Sequence, residues 1–235
     1  MPDYNSISDK KSFISFLYNH LTAERVKRFE KVLQYRTRHI TIAAEDIFHE
    51  RNASALIRSA DCFGIQDVHI IENKHLYKVS THIAKGADNW VDIHLYHSAE
   101  DNTRQCIQAL KVQGYRIVAS TPGTQFKTPE DLDINQKTAV FLGREKEGIT
   151  ETLLDHADDF IMIPMVGFTQ SFNLSVAGAL ILYPLTSRLR NSGLDWKLRE
   201  EDKDDLRIRW ALKSIRGSEQ LLKKYMNGHA SSNTV

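Results

Sequence analysis

Residues 168–183 read "FTQSFNLSVAGALILY". Thr169, Gln170, Ser171, Asn173 and Ser175 lead straight into a segment that is apolar on almost every side. A helix of that kind is buried. Its first backbone N–H groups, unpaired and at the positive end of the helix dipole, are buried with it and need a polar partner. Capping by Ser171 or Asn173 would supply one. A bound ligand would supply another, held by the hydroxyl and amide side chains gathered there. The sequence leaves both readings open.

Two more stretches carry residues able to do chemistry. In "FLGREKEG", Gly143 and Gly148 bracket Arg144, Glu145, Lys146 and Glu147 after a probable strand. The glycines permit close backbone approach or a positive φ, although a plain charged turn would look similar. In "NASALIRSADCFG", Ala53, Leu56, Ile57, Ala60 and Phe63 recur at helical spacing, with Asn52 a good N-cap and Gly64 a good C′ residue. Ser54, Arg58 and Asp61 share the other face, where Arg58 and Asp61 could form an ordinary surface pair worth a few tenths of a kcal/mol. No G-x-G-x-x-G follows a predicted strand and no G-x-x-x-x-G-K-[ST] occurs, which argues against a Rossmann site and a P-loop. His94-x-x-His97 follows the alternating run "VDIHLYH" and reads as a solvent-facing strand end rather than a metal site.

These residues need a scaffold, and the chain supplies a regular alternation. Strands are predicted at "ITIAAED", "DVHIIE", "VDIHLY", "YRIVAS", "TAVFLG" and "DFIMIP". Helices are predicted over 52–63, over 99–112, after Thr150 and from about Asn173. Strands alternating with helices imply an α/β domain with a mostly parallel sheet, spanning 41–190. Ligands of such sheets sit beyond the carboxyl ends of the strands, which is where the polar stretches fall. Pro184, inside the apolar helix, predicts a kink or a restart.

Residues 1–40 read as a helical extension. An amphipathic segment (Phe13, Phe16, Leu17, Leu21) precedes a basic helix over 22–38. There Arg25, Lys27, Arg28, Lys31, Arg36 and Arg38 outnumber Glu24 and Glu30, either as a solvated face or as a phosphate-contacting one. Residues 191–235 form a charged extension with Leu206, Trp210, Ile215, Leu221 and Leu222 at helical spacing, packed on the domain or on a partner chain, and ending in the tail "NGHASSNTV".

The 235 residues suit one domain plus extensions. A formal charge of +1 means that any binding of nucleic acid must come from local patches. Cys62 and Cys106 belong to no ligand pattern and read as buried thiols in a reducing cytoplasm. No run approaches ~18 apolar residues, and the N-terminus lacks a long apolar core, so a soluble cytoplasmic protein is expected.

Taken together, "ERNASALIRSADCFG", "VFLGREKEGI" and "IPMVGFTQSFNLSVAGALILY" resemble, in order, the three motifs of the SpoU group of RNA 2′-O-ribose methyltransferases, within the SPOUT superfamily. The basic leading helix and the third motif look most like the TrmH branch, which methylates guanosine 18 in the tRNA D-loop. The resemblance implies a deep trefoil knot at about 118–185, a rare exception to the rule against threaded chains. It implies S-adenosylmethionine held around Ser120, Leu142, Gly143, Ile163, Met165 and Phe172, and a homodimer acting on tRNA without metal or membrane. Arg58, Asn52, Glu145, Ser171 and Asn173 take the family's catalytic positions. A guanidinium is a poor proton acceptor, so Arg58 is either a base assisted by an RNA phosphate or a fixed charge stabilising the alkoxide. Arg25, Arg28, Arg36, Arg38, Arg51, Arg188 and Arg190 are expected to face RNA; Arg51 stands where the branch usually has histidine, which weakens transfer of the exact target. The alternatives are another tRNA position, ribosomal RNA, or a non-catalytic RNA-binding protein of the same fold.

Overall fold

The computed structural model of the chain describes all residues except 1–3, 5, 6, 8, 79, 122–125, 146 and 231–235. It divides into two compact units: residues 36–197, and residues 1–35 together with 198–235. The boundaries thus fall at 35 and 197 rather than at 40 and 190, and the two extensions belong to one unit.

In the larger unit, short runs rich in Ile, Val and Ala are buried on both faces, as a parallel sheet covered by helices requires. The strands are β1 (Ile40–Glu45), β2 (Asp67–Ile71), β3 (Asp92–Tyr96), β4 (Arg116–Ser120), β5 (Thr138–Leu142) and β6 (Asp159–Ile161). They lie in the order β3-β2-β1-β5-β4-β6, and every pairing within the sheet is parallel. Ile40, Ile42, Ala44, Val140 and Leu142 face a core built with α3 (Glu50–Cys62) and α7 (Leu174–Arg190). Ala43, Ala139 and Phe141 point the other way, against α5 (Asn102–Val112) and α6 (Glu151–His156). The short α4 (Thr81–Ala84) and a 3₁₀ turn at Ala87–Asn89 adjoin α3.

Gly178 lets α7 come close to α3 and the sheet: a Cβ there would lie 2.5 Å from Leu56 Cδ1 and 3.2 Å from Leu142 Cδ1. α7 runs unbroken through Pro184, so the expected restart does not occur. The carbonyl that proline leaves without its usual helical donor is that of Leu180. Asn52 is not the cap of α3; the helix starts earlier, with His49 as N-cap, and Asn52 lies in its first turn. Asp61 pairs with Arg36 instead of Arg58. Cys106 is buried, but Cys62 is exposed at the end of α3, against expectation.

On the edge of the sheet, His94 Nε2 bonds Asp67 Oδ1 at 2.8 Å and its ring stacks on His69 at 4.7 Å. Burial, reinforced by neighbouring His94, pushes the His69 imidazole down to about 3. Burial opposes ionisation of Asp67, yet the His94 hydrogen bond and the Arg38 charge hold its carboxyl below the usual carboxylate range.

The smaller unit consists of α1 (Lys10–Tyr18), α2 (Ala23–Leu33), α8 (Glu200–Ser214) and α9 (Ser218–Ala230). Phe13 and Tyr225 rings meet at 4.7 Å and Phe29 meets Trp210 edge-on at 5.5 Å. Arg207 holds both Glu30 oxygens, at 2.9 and 2.8 Å, while Tyr18 donates to Oε1 at 2.7 Å. The C-terminal segment is therefore two helices separated near Gly217, whose φ of +74° only glycine adopts readily. Of the expected tail, residues 227–230 belong to α9 and residues 231–235 lie outside the described residues.

Candidate active site

The carboxyl ends of three strands meet: Ser120 of β4 is in register with Leu142 of β5 and Ile161 of β6. The segments that follow them enclose a cavity of about 650 Å³, within the usual range for a small-molecule site. Ser120, Leu142, Gly143, Ile163, Met165 and Phe172 all line it, as do Glu145, Ser171 and Asn173.

Gly143 makes this wall possible. Arg144 N–H donates to the Gly148 carbonyl at 2.9 Å, and Gly148 N–H returns a bond to the Arg144 carbonyl at 3.1 Å, closing the loop on itself. A Cβ on Gly143 would sit 2.6 Å from both Gly148 C and Ile149 N. Gly148 supplies the reversal with φ +72°. Lys146, within the loop, lies outside the described residues.

A polar relay runs along the wall. Asn173 caps α7: its Oδ1 accepts from the N–H groups of Ser175 and Val176 at 3.0 and 3.4 Å and from the Ser175 hydroxyl at 2.7 Å. Its Nδ2 donates to Asn52 Oδ1 at 3.0 Å, and Asn52 Nδ2 donates to Glu145 Oε1 at 2.6 Å. Each amide uses its oxygen and its nitrogen in fixed directions, so the relay has one polarity and ends on a carboxylate. Ser171 is not the cap and stands exposed at the cavity.

Arg58 does not join the relay. Six residues beyond Asn52 on α3, it is displaced by about 9 Å of rise and about 240° of rotation. It is exposed and has no hydrogen-bond or ion-pair partner among the described residues. Arg25 and Arg28 on α2 and Arg51 on α3 are also exposed. Arg36 was expected to face RNA, but it is 1% exposed, bonded to Asp61 and to the Ile65 carbonyl. The basic helix ends at Leu33, and the chain beyond it turns Arg36 into the domain. Arg38 is held by Asp67 and Asp92, each at 2.9 Å. Arg188 donates to the Pro129 carbonyl at 3.0 Å and Arg190 to the Phe63 carbonyl, which occupies part of each guanidinium.

Other contacts at the site left little sign in the sequence pattern. Glu147 on the cavity wall bonds Lys74 at 3.2 Å and pairs with Arg144. The Lys74 hydrogen bond and the charges of Arg144 and Lys74 hold its carboxyl below the usual range. Thr150 ties the same loop to the buried Glu45 at the end of β1, through its hydroxyl at 2.6 Å and its N–H at 3.1 Å. His49 Nε2 lies 4.0 Å from Glu145 Oε2. Apart from the Arg144–Glu147 pair, these are contacts between residues far apart in the chain, which no local spacing announces.

Residues 39–183 match the model of the SpoU rRNA Methylase family. The chain is 40% identical over 197 residues to the tRNA (guanosine(18)-2′-O)-methyltransferase of Borreliella burgdorferi, covering 84% of this chain and 88% of that one. The crystal structure of the A. aeolicus TrmH/SpoU tRNA modifying enzyme superposes with a TM-score of 0.73 at 29% identity, covering 82% of this chain and 98% of that one. The SpoU methyltransferase AviRb from Streptomyces viridochromogenes, in complex with the cofactor AdoMet, shares the fold at TM-score 0.58 and 20% identity, over 67% of this chain and 63% of that one.

Proposed function

Because the chain belongs to the SpoU rRNA methylase family, we propose that it transfers a methyl group from S-adenosylmethionine to a ribose 2′-hydroxyl of RNA, with guanosine 18 of tRNA as its target. The observation that carries this reading is the Asn173–Asn52–Glu145 relay set into the wall of a cavity at the strand ends. The target follows from the Borreliella burgdorferi relative, similar over 88% of its length.

The residues present suit the cofactor. Leu142, Ile163 and Met165 give apolar walls for a flat base, while Ser120 and Gln170 offer a hydroxyl and an amide for its polar parts. Bound there, S-adenosylmethionine would supply an electrophilic methyl group. Ser171 and the relay would orient the incoming ribose. Arg58 keeps its proton, as guanidinium groups do in proteins, and serves as a fixed positive charge toward phosphate or the developing alkoxide.

Arg58 points away from its own chain's relay, which favours a site completed by a second copy. Val176, Leu180 and Tyr183 form an apolar stripe on α7, 45%, 42% and 66% exposed, suited to a twofold contact in a homodimer. Residues of 142–149 and of 162–174 line the same cavity, an arrangement that a knot at about 118–185 would produce. Exposed Arg25, Arg28 and Arg51, with Arg188 and Arg190 in supporting positions, would contact tRNA phosphates. Acting on tRNA, the protein would work in the cytoplasm. No helix among the described residues is long and apolar enough to cross a membrane.

The test is methyl transfer from labelled S-adenosylmethionine to unmodified tRNA, with the product nucleotide mapped by digestion. Label on the guanosine 18 ribose is expected. Label elsewhere in tRNA, or only on ribosomal RNA, would refute the target; cofactor binding with no transfer to any RNA would refute the activity.

A further inference from the structure

Phe48, just past the end of β1, is 60% exposed, and no step of the reaction uses it. The segment that carries it is nevertheless anchored, by Asp46. Asp46 is 3% exposed and takes φ +46°, a left-handed backbone that aspartate tolerates better than most residues. Its N–H donates to the Ile71 carbonyl at 2.8 Å, and its Oδ1 accepts from the N–H groups of Asn73, Lys74 and His75 at 2.8, 2.6 and 3.3 Å. One carboxylate oxygen thus ties the loop after β2 to the loop after β1. The Phe48 ring meets the imidazole of His49 at 4.7 Å and that of His75 at 5.0 Å, nearly perpendicular to both, so each of the tied loops supplies one ring contact.

These loops adjoin the cavity without lining it. Ala44 of β1 is in register both with Ile70 of β2 and with Leu142 of β5, which is part of the cavity wall. Lys74 Nζ, one residue from His75, donates to Glu147 Oε2 on that wall at 3.2 Å. Phe48 therefore stands beside the cavity, outside the volume a cofactor would fill. Arg51, exposed in the first turn of α3, and Lys74, 57% exposed, bring positive charge to the same side, where Glu50 is the neighbouring acid.

A ribose drawn into an enclosed site leaves its strand's stack, and a base there loses its stacking partner. Proteins hold such bases on exposed aromatic side chains, with cations taking the adjoining phosphates. Resting on the methyltransferase reading above, we propose that Phe48 is the stacking platform for an unstacked base of the RNA at its target nucleotide. Asp46 holds the platform in place, and Arg51 and Lys74 face the phosphates on either side of it. The ring sets where the strand lies relative to the cavity and takes no part in the transfer itself.

The test uses the full chain and unmodified tRNA. Phe48→Ala and Phe48→Leu should each lose about 5- to 150-fold in kcat/KM for tRNA, the worth of one base–aromatic stack, while Phe48→Tyr and Phe48→Trp keep most of it. All four should melt and bind S-adenosylmethionine as wild type does. Phe48→Trp also gives a readout without turnover: its emission, less that of Trp90, Trp196 and Trp210 measured in wild type, should be quenched by tRNA with no cofactor present. Wild-type kcat/KM in Phe48→Leu, or no quenching where filter binding shows the tRNA bound, overturns the proposal. Quenching by S-adenosylmethionine alone would assign the ring to the cofactor, and a change on dilution without RNA would assign it to a second copy of the chain; either result overturns it as well. If wild type binds tRNA but methylates no RNA, the methyltransferase reading fails by itself and quenching by tRNA still decides the platform. A chain that binds no tRNA overturns both.

Discussion

Replacing Gly143 by alanine tests whether the cavity wall depends on the loop closing on its own backbone. The new Cβ would lie 2.6 Å from Gly148 C and from Ile149 N and 2.8 Å from Gly148 O, all main-chain atoms that cannot rotate away. Reaching ordinary contact at 3.4 Å requires the two sides of the loop to separate by about 0.8 Å. That movement strains or breaks the pair of Arg144–Gly148 backbone bonds, each worth roughly 1 kcal/mol net, on top of an overpacking cost of about 1–3 kcal/mol. A total of about 3–5 kcal/mol corresponds to a fall in Tm of roughly 6–20 °C for a chain of this size. If the loop yields locally instead, the cost appears in binding, because Glu145 is carried away from Asn52, and each 1.4 kcal/mol is about tenfold in affinity. Calorimetry with S-adenosylmethionine and a thermal melt together read both routes. Gly193→Ala is the control, since nothing lies within 4 Å of a Cβ there. Should Gly143→Ala match that control in both Tm and cofactor affinity, the loop is not the wall described above.

Asn52→Asp removes the donor to Glu145 and sets a carboxylate beside a carboxylate; stability should fall by about 1–3 kcal/mol and methyl transfer by about 100-fold, and a rate within twofold of wild type would show that the relay does not serve the reaction. Arg36→Met should cost about 2–4 kcal/mol in a denaturant melt, at the low side of a buried pair because Asp61 is 28% exposed, while tRNA affinity below Tm stays unchanged; a selective loss of tRNA binding would return Arg36 to the RNA surface. The His69 imidazole, depressed to about 3, takes up fewer protons in the folded than in the unfolded chain between that value and about 6.5. Its contribution is complete above about pH 6.5 and is lost as pH falls toward 3, by a few kcal/mol in order of magnitude. His69→Asn should therefore lose less stability than wild type between pH 7 and 4.5 in urea melts, and parallel curves would refute the assignment.

The strands and the principal helices of the larger unit were legible because their signal is local: alternating or continuous apolar runs, ended by glycine or capped by Thr150 and Asp101. What was not legible depends on contacts between distant segments. Asn52 has the composition of a cap, but its two bonds reach Glu145 and Asn173, and the helix begins before it. Arg36 reads as one more cation on a basic helix, whereas Asp61, its partner, lies on α3. The pairing of the two extensions into one unit has no periodicity to announce it; it depends on matches such as Arg207 with Glu30 and Tyr225 with Phe13. The candidate cofactor residues were found through a resemblance across three motifs, and no single motif would have sufficed, since "FLGREKEG" alone reads as a charged turn.

The polar run before the apolar helix presented two readings as rivals, a cap or a ligand site. Asn173 shows why they need not compete. An amide has an acceptor end and a donor end, and the buried start of α7 needs only the acceptor: Oδ1 takes the free N–H groups of Ser175 and Val176. The donor end is then turned outward by the capping itself, into Asn52 and on to Glu145. An aspartate would cap as well but would have no donor to give, and a serine has no fixed direction for its proton. Asparagine is the common cap that both closes the helix and sends a hydrogen bond onward with set polarity, so the helix that anchors the core also fixes the orientation of the relay. Asn173→Asp would separate the two roles: α7 should remain capped and the melt nearly unchanged, while methyl transfer falls. Equal losses in both would mean that the relay is only packing.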